Sequence, residues 1–283
     1  MSLVVKAGSV ITMSNREVLR DAIIVVEDGR IVDVGPRRNL ASKYRGYDVL
    51  DASSCVVLPG LVNAHTHAAM TLLRGYADDL PLKQWLEQKI WPLEAHMDGY
   101  SIYVGALLAA VESALMGVTV LNTMYHFFPD YNEAKAIAEA GLRGMVGHVC
   151  FSWRKEADLK AINDMMVKWH GSFNGRIRVT IDPHAPYTVD PEYLKELRQL
   201  SEELSSKYGE KILWHIHLAE TEDEHLKIKE AFKVDVGEGV AAYLDGLGVL
   251  GPDVVAAHCV WLSDRDVEVL ARRGVKVVHC PTS

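Results

Sequence analysis

The chain has 283 residues, of which 49% are hydrophobic and 24% are charged, and its net charge is −8. This composition is typical of a folded protein with one large domain, or one large and one small domain, and it excludes a mainly disordered chain. The acidic balance, without any run of Lys and Arg, argues against a nucleic-acid partner and against a basic helix on a membrane surface.

Membrane and secretory signals are weak in this sequence. No apolar stretch approaches the roughly 20 residues that a bilayer span requires, so we expect no membrane partner. The first residues do not resemble a secretory signal peptide. The cysteines, Cys55, Cys150, Cys259 and Cys280, lie far apart. This spacing predicts reduced thiols in a cytoplasmic protein rather than a disulfide framework or a zinc ribbon.

Residues 1–55 are rich in β-forming side chains and predict part of a small β-sandwich-like domain. Asp28-Gly29 separates two apolar runs. Because Asp-Gly tolerates the positive φ angles of tight turns, it predicts a β-hairpin there.

Residues 56–283 form the second predicted domain, in which short apolar runs alternate with longer amphipathic segments. The predicted strands are Val56–Asn63, Val118–Thr123, Gly144–Val149, Ile177–Ile181, Ile212–His217, Val254–Ala257 and Val275–Val278. Alternating strands and helices imply a parallel sheet, either an open doubly wound sheet or a barrel. We favour an α/β fold with a (β/α)8 TIM-type barrel, of which seven strands are visible.

Two His-x-His pairs stand at the ends of predicted strands. His65 and His67 project from the same face of the first barrel strand, because residues i and i+2 share a face. Imidazole is a common ligand of zinc and iron(II), so this pair predicts a metal site. His217 ends a later strand, while His215 lies one layer deeper and is expected to be a buried, hydrogen-bonded residue. Glu220 follows the same strand as a candidate general acid or base, although it could also be an acid near a helix start.

Histidines follow four other predicted strands. His126, His184, His258 and His279 stand at or just beyond these strand ends. In a barrel, the carboxyl ends of all strands meet at the face that carries the active site. We therefore expect the histidines to converge there.

The segment PGLVNAHTHAAMTLLRGYADDLPLKQWLEQKIWPLE resembles the amidohydrolase superfamily, in particular its nucleoside-deaminase and chlorohydrolase branch. Among these, it is most similar to the methylthioadenosine/S-adenosylhomocysteine deaminases. The segments DPHAPYTV, HIHLAET, AAHCVWL and HCPTS support the resemblance along the rest of the chain. It implies metal-dependent hydrolytic deamination of an adenine nucleoside, such as methylthioadenosine or S-adenosylhomocysteine, with release of ammonia.

The resemblance also implies a metal site and its catalytic residues. His65, His67 and His217 would bind one divalent ion, with Zn²⁺ as the default and Fe²⁺ or Mn²⁺ as alternatives. Glu220 would shuttle protons, and His258 would contact the attacking water or the tetrahedral intermediate.

Three further residues are implied to bind the substrate. His184 would hydrogen-bond the heterocycle, while Trp85 and Glu94 would cover the substrate and bind ribose hydroxyls. Trp85 could instead be a core aromatic residue, and Glu94 could be a solvated or capping acid. The resemblance leaves a homo-oligomer open.

One feature of the family is missing from this sequence. The family has an aspartate metal ligand at the end of an eighth strand, whereas this sequence stops at Ser283. We expect the chain to be the N-terminal portion of a longer protein, or to be completed by a separate chain. The alternative functions are a guanine or cytosine deaminase, a triazine-type chlorohydrolase, and a non-catalytic or incomplete homologue.

Overall fold

The computed structural model describes residues 2–14, 17–237 and 239–282 and divides the chain into two compact units. The N-terminal unit, Met1–Leu61, contains one sheet within these described residues. Its elements are β1 (Ser2–Ile11), β2 (Val18–Glu27), β3 (Arg30–Pro36), the short helix α1 (Arg37–Leu40) and β4 (Asp48–Val57). The strand order is β3-β2-β1-β4, with β4 parallel to β1 and the other pairs antiparallel.

The hairpin between β2 and β3 turns at Asp28-Gly29, as the sequence predicts. Both residues have positive φ angles, of 48° and 76°. These are the angles that make Asp-Gly favourable in a two-residue turn.

The prediction of a single strand at Val56–Asn63 is wrong, because this segment contains the end of one strand and the start of another. Val56 and Val57 end β4 of the N-terminal sheet, and the first barrel strand, β5, is Leu61–Thr66. Leu58, Pro59 and Gly60 separate the two strands. Proline lacks the N–H that a sheet ladder needs, which accounts for the break. The two compact units divide after Leu61.

The second unit, Val62–Ser283, contains a seven-stranded sheet in the order β11-β10-β9-β8-β7-β6-β5. The pairs from β6 to β11 are parallel. The strands after β5 are β6 (Val118–Tyr125), β7 (Arg143–Cys150), β8 (Ile177–Pro183), β9 (Trp214–Leu218), β10 (Val254–His258) and β11 (Lys276–His279). Neighbouring strands follow chain order, as in a nearly closed TIM-type barrel, and the open doubly wound alternative is wrong.

Helices connect the barrel strands. Between β5 and β6 lie a 3-10 segment (Ala68–Leu73), α2 (Leu82–Trp85), a π-helical turn (Leu86–Ile90), α3 (Trp91–Glu94) and α4 (Gly99–Leu115). Between later strands lie α5 (Glu133–Glu139), the 3-10 turn Ser152–Arg154, α6 (Lys155–Lys168), α7 (Ser172–Gly175), α8 (Pro191–Tyr208), α9 (Glu224–Phe232), α10 (Val240–Gly246) and α11 (Asp264–Arg273). In the described residues, none of these helices is long and apolar enough to span a membrane.

The start and end of α8 illustrate how the sequence sets these helices. The Asp190 side chain accepts hydrogen bonds from the backbone N–H groups of Glu192 and Tyr193, and Pro191 occupies the first helical position. Gly209 ends the helix with φ 69°. A capping acid, an N-terminal proline and a left-handed glycine are the expected terminal signals. They fix where the helix packs and where β9 begins.

The main core of this unit lies between the strands and their covering helices. It includes Ile177, Leu197, Trp214, Ile216 and Leu244, each with 0% exposure. Burying such side chains contributes roughly 1.5–3 kcal/mol each. This packed layer holds the carboxyl ends of the parallel strands at one edge of the barrel.

Candidate metal centre and catalytic site

Three histidines converge at the carboxyl ends of β5 and β9. His65 belongs to β5, His67 follows it directly, and His217 lies in β9. One nitrogen from each ring lies within 4.8 Å of the others. Burial is the main cause that lowers the pKa of all three, so the rings are neutral and can act as ligands.

Backbone carbonyl groups fix the tautomers of two of these rings. His67 Nδ1–H donates to the Met124 carbonyl at 2.7 Å, and His217 Nδ1–H donates to the His184 carbonyl at 2.7 Å. The Nε2 atoms of His67 and His217 are therefore unprotonated and face each other at 3.2 Å. Two unprotonated ring nitrogens at this distance can bind the same cation. Two Zn–N bonds of about 2.0–2.1 Å at a tetrahedral angle separate their nitrogens by about 3.3 Å, so the pair fits a metal ion.

His65 is held by a buried polar chain that continues into the barrel. Its Nδ1 lies 2.9 Å from His215 Nε2, and His215 Nδ1 lies 3.5 Å from Asp182 Oδ2. His215 and Asp182 are fully buried, which confirms His215 as the deeper, hydrogen-bonded histidine. Gly147 leaves room for this carboxylate, because a Cβ on it would approach the Asp182 carboxyl group to 2.0 Å. A partner that orients a ligand histidine in this way also makes it a better ligand.

Sequence reasoning missed Asp182 as part of this site. The residue is visible in the sequence as the acid that opens DPHAPYTV, and it lies next to the last residue of β8, after Ile181. An acid in such a strand is a signal, because a buried carboxylate needs partners.

Glu220 and His258 lie beside each other at the mouth of the barrel. His258 Nε2 is 3.6 Å from Glu220 Oε1, and the two side chains are only 10% and 15% exposed. Burial raises the pKa of Glu220 to about 7. Burial, followed by the nearby His67 and His215, lowers the pKa of His258 to about 4. A carboxyl group with a pKa near neutrality can both donate and accept a proton at pH 7.

The backbone of His258 is unusual. His258 and Cys259 have φ angles of 72° and 50°, in a region that non-glycine residues rarely adopt. Such conformations cluster at active sites, where the surrounding structure imposes them.

The other strand-end histidines lie around this centre, as the barrel predicts. The ring of His184 is 5.0 Å from that of His217, and the ring of His258 is 5.3 Å from it. His279 Nδ1–H donates to the His258 carbonyl at 3.1 Å. His126 lies farther out, beside Glu94, and sequence reasoning gave it no role.

His184 is positioned by short-range contacts. Its Nδ1 lies 2.8 Å from Thr188 Oγ1, and its ring lies 4.8 Å from that of Phe151. Burial lowers the pKa of His184 to about 3, so the ring is neutral and can hydrogen-bond a neutral heterocycle.

A small cavity beside the histidines brings the expected substrate-binding residues together. It has a volume of about 60 Å³, and its lining includes His67, Trp85, Glu94 and His184. Trp85 and Glu94 come from the helical segment 82–94, which lies over this opening. Trp85 and Glu94 therefore lie near the converging histidines, although they are far from His184 in sequence.

Glu94 joins the small cavity to a larger cleft. Its carboxylate accepts a hydrogen bond from Tyr125 Oη at 2.5 Å and lies 3.7 Å from His126 Nε2. Burial raises the pKa of Glu94, but the contacts with His126 and Tyr125 outweigh it and hold the pKa below its usual value. The larger cleft has a volume of about 510 Å³ and is lined by Glu94 and by aromatic residues that include Trp91 and Trp153. A carboxylate in an aromatic cleft can accept hydrogen bonds from hydroxyl groups of a ligand.

The sequence model of the amidohydrolase family matches residues 56–283. The chain belongs to the amidohydrolase family. This confirms the resemblance seen in the His-x-His and HIHLAET segments. The match begins at the end of β4 and covers the whole barrel sheet.

Named relatives of this amidohydrolase are nucleoside deaminases. The chain is 43% identical to a 5'-deoxyadenosine deaminase of Methanosarcina barkeri over 98% of this chain and 62% of that protein. It is 41% identical to a 5-methylthioadenosine/S-adenosylhomocysteine deaminase of Desulforudis audaxviator over 100% of this chain and 63% of that protein. The chain therefore spans about three-fifths of the length of these curated relatives.

A solved structure shares the amidohydrolase fold. It is an adenosine deaminase of Xanthomonas campestris with bound zinc, with a TM-score of 0.87 and 33% identity. The similarity covers 99% of this chain and 62% of that one.

Proposed function

We propose that this amidohydrolase hydrolyses the exocyclic amino group of an adenine nucleoside and releases ammonia. The observation that carries the proposal is the convergence of three neutral ligand histidines with the Glu220–His258 pair at one end of the barrel. The nucleoside deaminases among the relatives support it.

The residues at this centre have different roles in the proposed reaction. His65, His67 and His217 would hold one divalent metal, which when bound supplies hydroxide at neutral pH by lowering the pKa of water. Glu220, placed beside His258 and protonated near neutral pH, donates a proton to the ring nitrogen next to the carbon under attack. His258 stabilises the charge that develops as hydroxide adds to that carbon.

The second half of the reaction breaks the carbon–nitrogen bond. The Glu220 carboxylate takes the proton of the new hydroxyl group and passes it to the amino group, which leaves as ammonia, while the ring carbon keeps the oxygen as a carbonyl. The proton that water loses on forming hydroxide restores protonated Glu220. Adenine nucleoside and water are thereby converted into the hypoxanthine nucleoside and ammonia. His184 would hold the ring in place through a hydrogen bond, from its position beside His217.

We propose a single zinc ion as the metal, with Fe²⁺ and Mn²⁺ as alternatives. Three imidazole nitrogens suit zinc, and the zinc-bound adenosine deaminase relative supports this choice. His217→Ala should abolish stoichiometric zinc binding, measured by mass spectrometry of the desalted protein. His225→Ala, which alters an exposed histidine of α9, is the matched control and should leave zinc binding unchanged.

We propose a nucleoside rather than a free base as the substrate. Glu94 supports a ribose-bearing substrate, because its buried carboxylate borders the cavity beside the histidines. Glu94→Gln should raise KM for methylthioadenosine about tenfold, the loss expected for one hydrogen bond to a charged group, with a smaller change in kcat. An unchanged KM would exclude contact between Glu94 and the ribose.

Ammonia release from a substrate panel tests the proposed function. We expect release from methylthioadenosine, S-adenosylhomocysteine and adenosine, and little from guanine or cytosine. Ammonia from the free bases alone would favour a guanine or cytosine deaminase, and chloride from a chlorotriazine would favour a chlorohydrolase. Bound metal without hydrolysis of any compound would favour a non-catalytic homologue.

We further propose a cytoplasmic location. All four cysteines are free thiols, a state typical of reducing compartments. A homo-oligomer stays a prediction, which sedimentation velocity tests.

A further inference from the structure

Glu224 holds the backbone of the segment that carries Glu220. It is the first residue of α9 and is only 1% exposed. Its Oε1 accepts the Ala219 N–H at 3.0 Å, and its Oε2 accepts the Glu220 N–H at 3.0 Å. One buried carboxylate thus binds two consecutive amides at the end of β9.

The segment bound by Glu224 has a strained backbone. Ala219 has a φ of 50°, in the left-handed region that a residue with a Cβ rarely adopts. Such a conformation persists only where the surrounding contacts over-determine it. The two amide hydrogen bonds from Glu224 are contacts of this kind.

The opposite side of the same segment is tied to the chain after His258. Cys259 N–H donates to the Leu218 carbonyl at 2.8 Å, and the N–H groups of Val260 and Trp261 donate to the Ala219 carbonyl at 3.0 and 2.9 Å. The carbonyl groups are therefore held by the His258 segment, and the amides are held by Glu224. Loss of either the amide hydrogen bonds or the carbonyl hydrogen bonds would allow the peptide between Leu218 and Ala219 to rotate.

We propose that Glu224 is a positioning residue, which sets the Glu220 carboxyl group against His258 by clamping the Ala219 and Glu220 amides. This inference rests on the proposed function, in which Glu220 moves the proton. Glu224 acts through the two amides that its oxygens bind.

The two glutamates, Glu220 and Glu224, have different partners and therefore different roles. Glu220 lies 3.6 Å from His258, whereas Glu224 directs both oxygens at backbone amides. Replacing Glu224 by glutamine keeps the side-chain size but turns one acceptor into an NH2 donor. One of the two amides then faces a donor, and the peptide must move.

Glu224→Gln, Glu224→Asp and Glu224→Ala test the clamp. We expect kcat to fall about tenfold to a hundredfold in Glu224→Gln, because misplacement of a reacting group by about 1 Å can cost about a hundredfold in rate. KM and zinc content should stay within about twofold of the wild type, because a misplaced proton donor weakens the transition state and not the binding of substrate or metal. Glu224→Asp keeps a carboxylate and should be intermediate between the wild type and Glu224→Ala.

Asp266→Asn is the matched control. Asp266 is also 1% exposed and accepts the backbone N–H groups of Ala242 and Ser263, but it caps α11. Its replacement should lower the free energy of unfolding and leave the kcat of the folded protein unchanged. A loss of kcat confined to the Glu224 variants therefore supports positioning over general destabilisation.

Amide hydrogen exchange gives a readout that does not depend on activity. The amides of Ala219 and Glu220 should exchange faster in Glu224→Gln than in the wild type, with the exchange of the β9 amides unchanged. Wild-type kcat in Glu224→Gln, or unchanged exchange of both amides, would overturn the inference. Failure of the wild type itself to release ammonia would instead overturn the proposed function, and the inference with it.

Discussion

Replacing Glu220 by glutamine removes the proton that the proposed reaction needs while keeping the shape of the side chain. The side chain is 15% exposed and lies 3.6 Å from His258 Nε2. Glutamine can still fill this space, but it cannot exchange a proton near neutral pH. We expect folding and zinc binding to persist and turnover to be lost.

The size of the loss follows from the burial of Glu220. Burial raises its pKa from 4.5 to about 7. At pH 7 about half of the molecules carry the proton, compared with roughly 0.3% for a carboxyl group of ordinary pKa. Burial thus increases the protonated fraction of Glu220 at pH 7 by about 150-fold. Because general acid–base catalysis typically contributes about 10²–10⁴-fold, we expect kcat to fall by this range.

The assay is ammonia release from methylthioadenosine across pH 5–9 with zinc-loaded protein. In the wild type, kcat/KM should fall above pH 7, since the protonated acid is consumed as pH rises through its pKa. Glu220→Gln should lack this alkaline limb. Glu222→Gln, an exposed neighbour, is the control and should behave as the wild type. Near-normal turnover in Glu220→Gln, or an unchanged alkaline limb, would refute the reasoning.

Two further predictions concern stability and are measured by chemical denaturation. Gly147→Ala places a Cβ 2.0 Å from the Asp182 carboxyl group, so we expect a loss of about 1–3 kcal/mol from overpacking. In Gly246→Ala the new Cβ meets no atom within 4 Å, so the free energy of unfolding should not fall; equal stability of the two variants would contradict the packing argument. Burial raises the pKa of Glu133 from 4.5 to about 7, so its contribution to stability is present below pH 4.5 and lost as pH rises through about 7. As pH rises from 4.5 to about 7, the free energy of unfolding of Glu133→Gln should therefore increase by about 3 kcal/mol relative to that of the wild type. A difference that does not change with pH would show that Glu133 is not buried with a raised pKa.

The positions of the ligand histidines could be predicted from the sequence, because their signals are local. Alternation along β5 places His65 and His67 together, and strand ends in a parallel barrel place His217 with them. The barrel order follows from the repeated strand–helix pattern. The break between β4 and β5 was missed because Val56–Asn63 reads as one apolar run, and only the pairing with β1 shows that its start belongs to another sheet.

Contacts between distant residues could not be predicted in the same way. The tautomer of His67 depends on the Met124 carbonyl, and that of His217 depends on the His184 carbonyl. The contacts of Glu224 with two consecutive amides depend on the left-handed φ of Ala219, and no sequence pattern predicts that conformation. These features arise from the packing of separate strands, and they determine the chemistry of the centre.

The most direct test of the account is zinc-dependent ammonia release. Metal-free protein is titrated with zinc, and ammonia from methylthioadenosine is measured at each step. We expect no release without metal, a rise that saturates near one zinc per chain, and no rise in His217→Ala. Release that is unaffected by metal removal, or no release at any zinc concentration, would contradict the account.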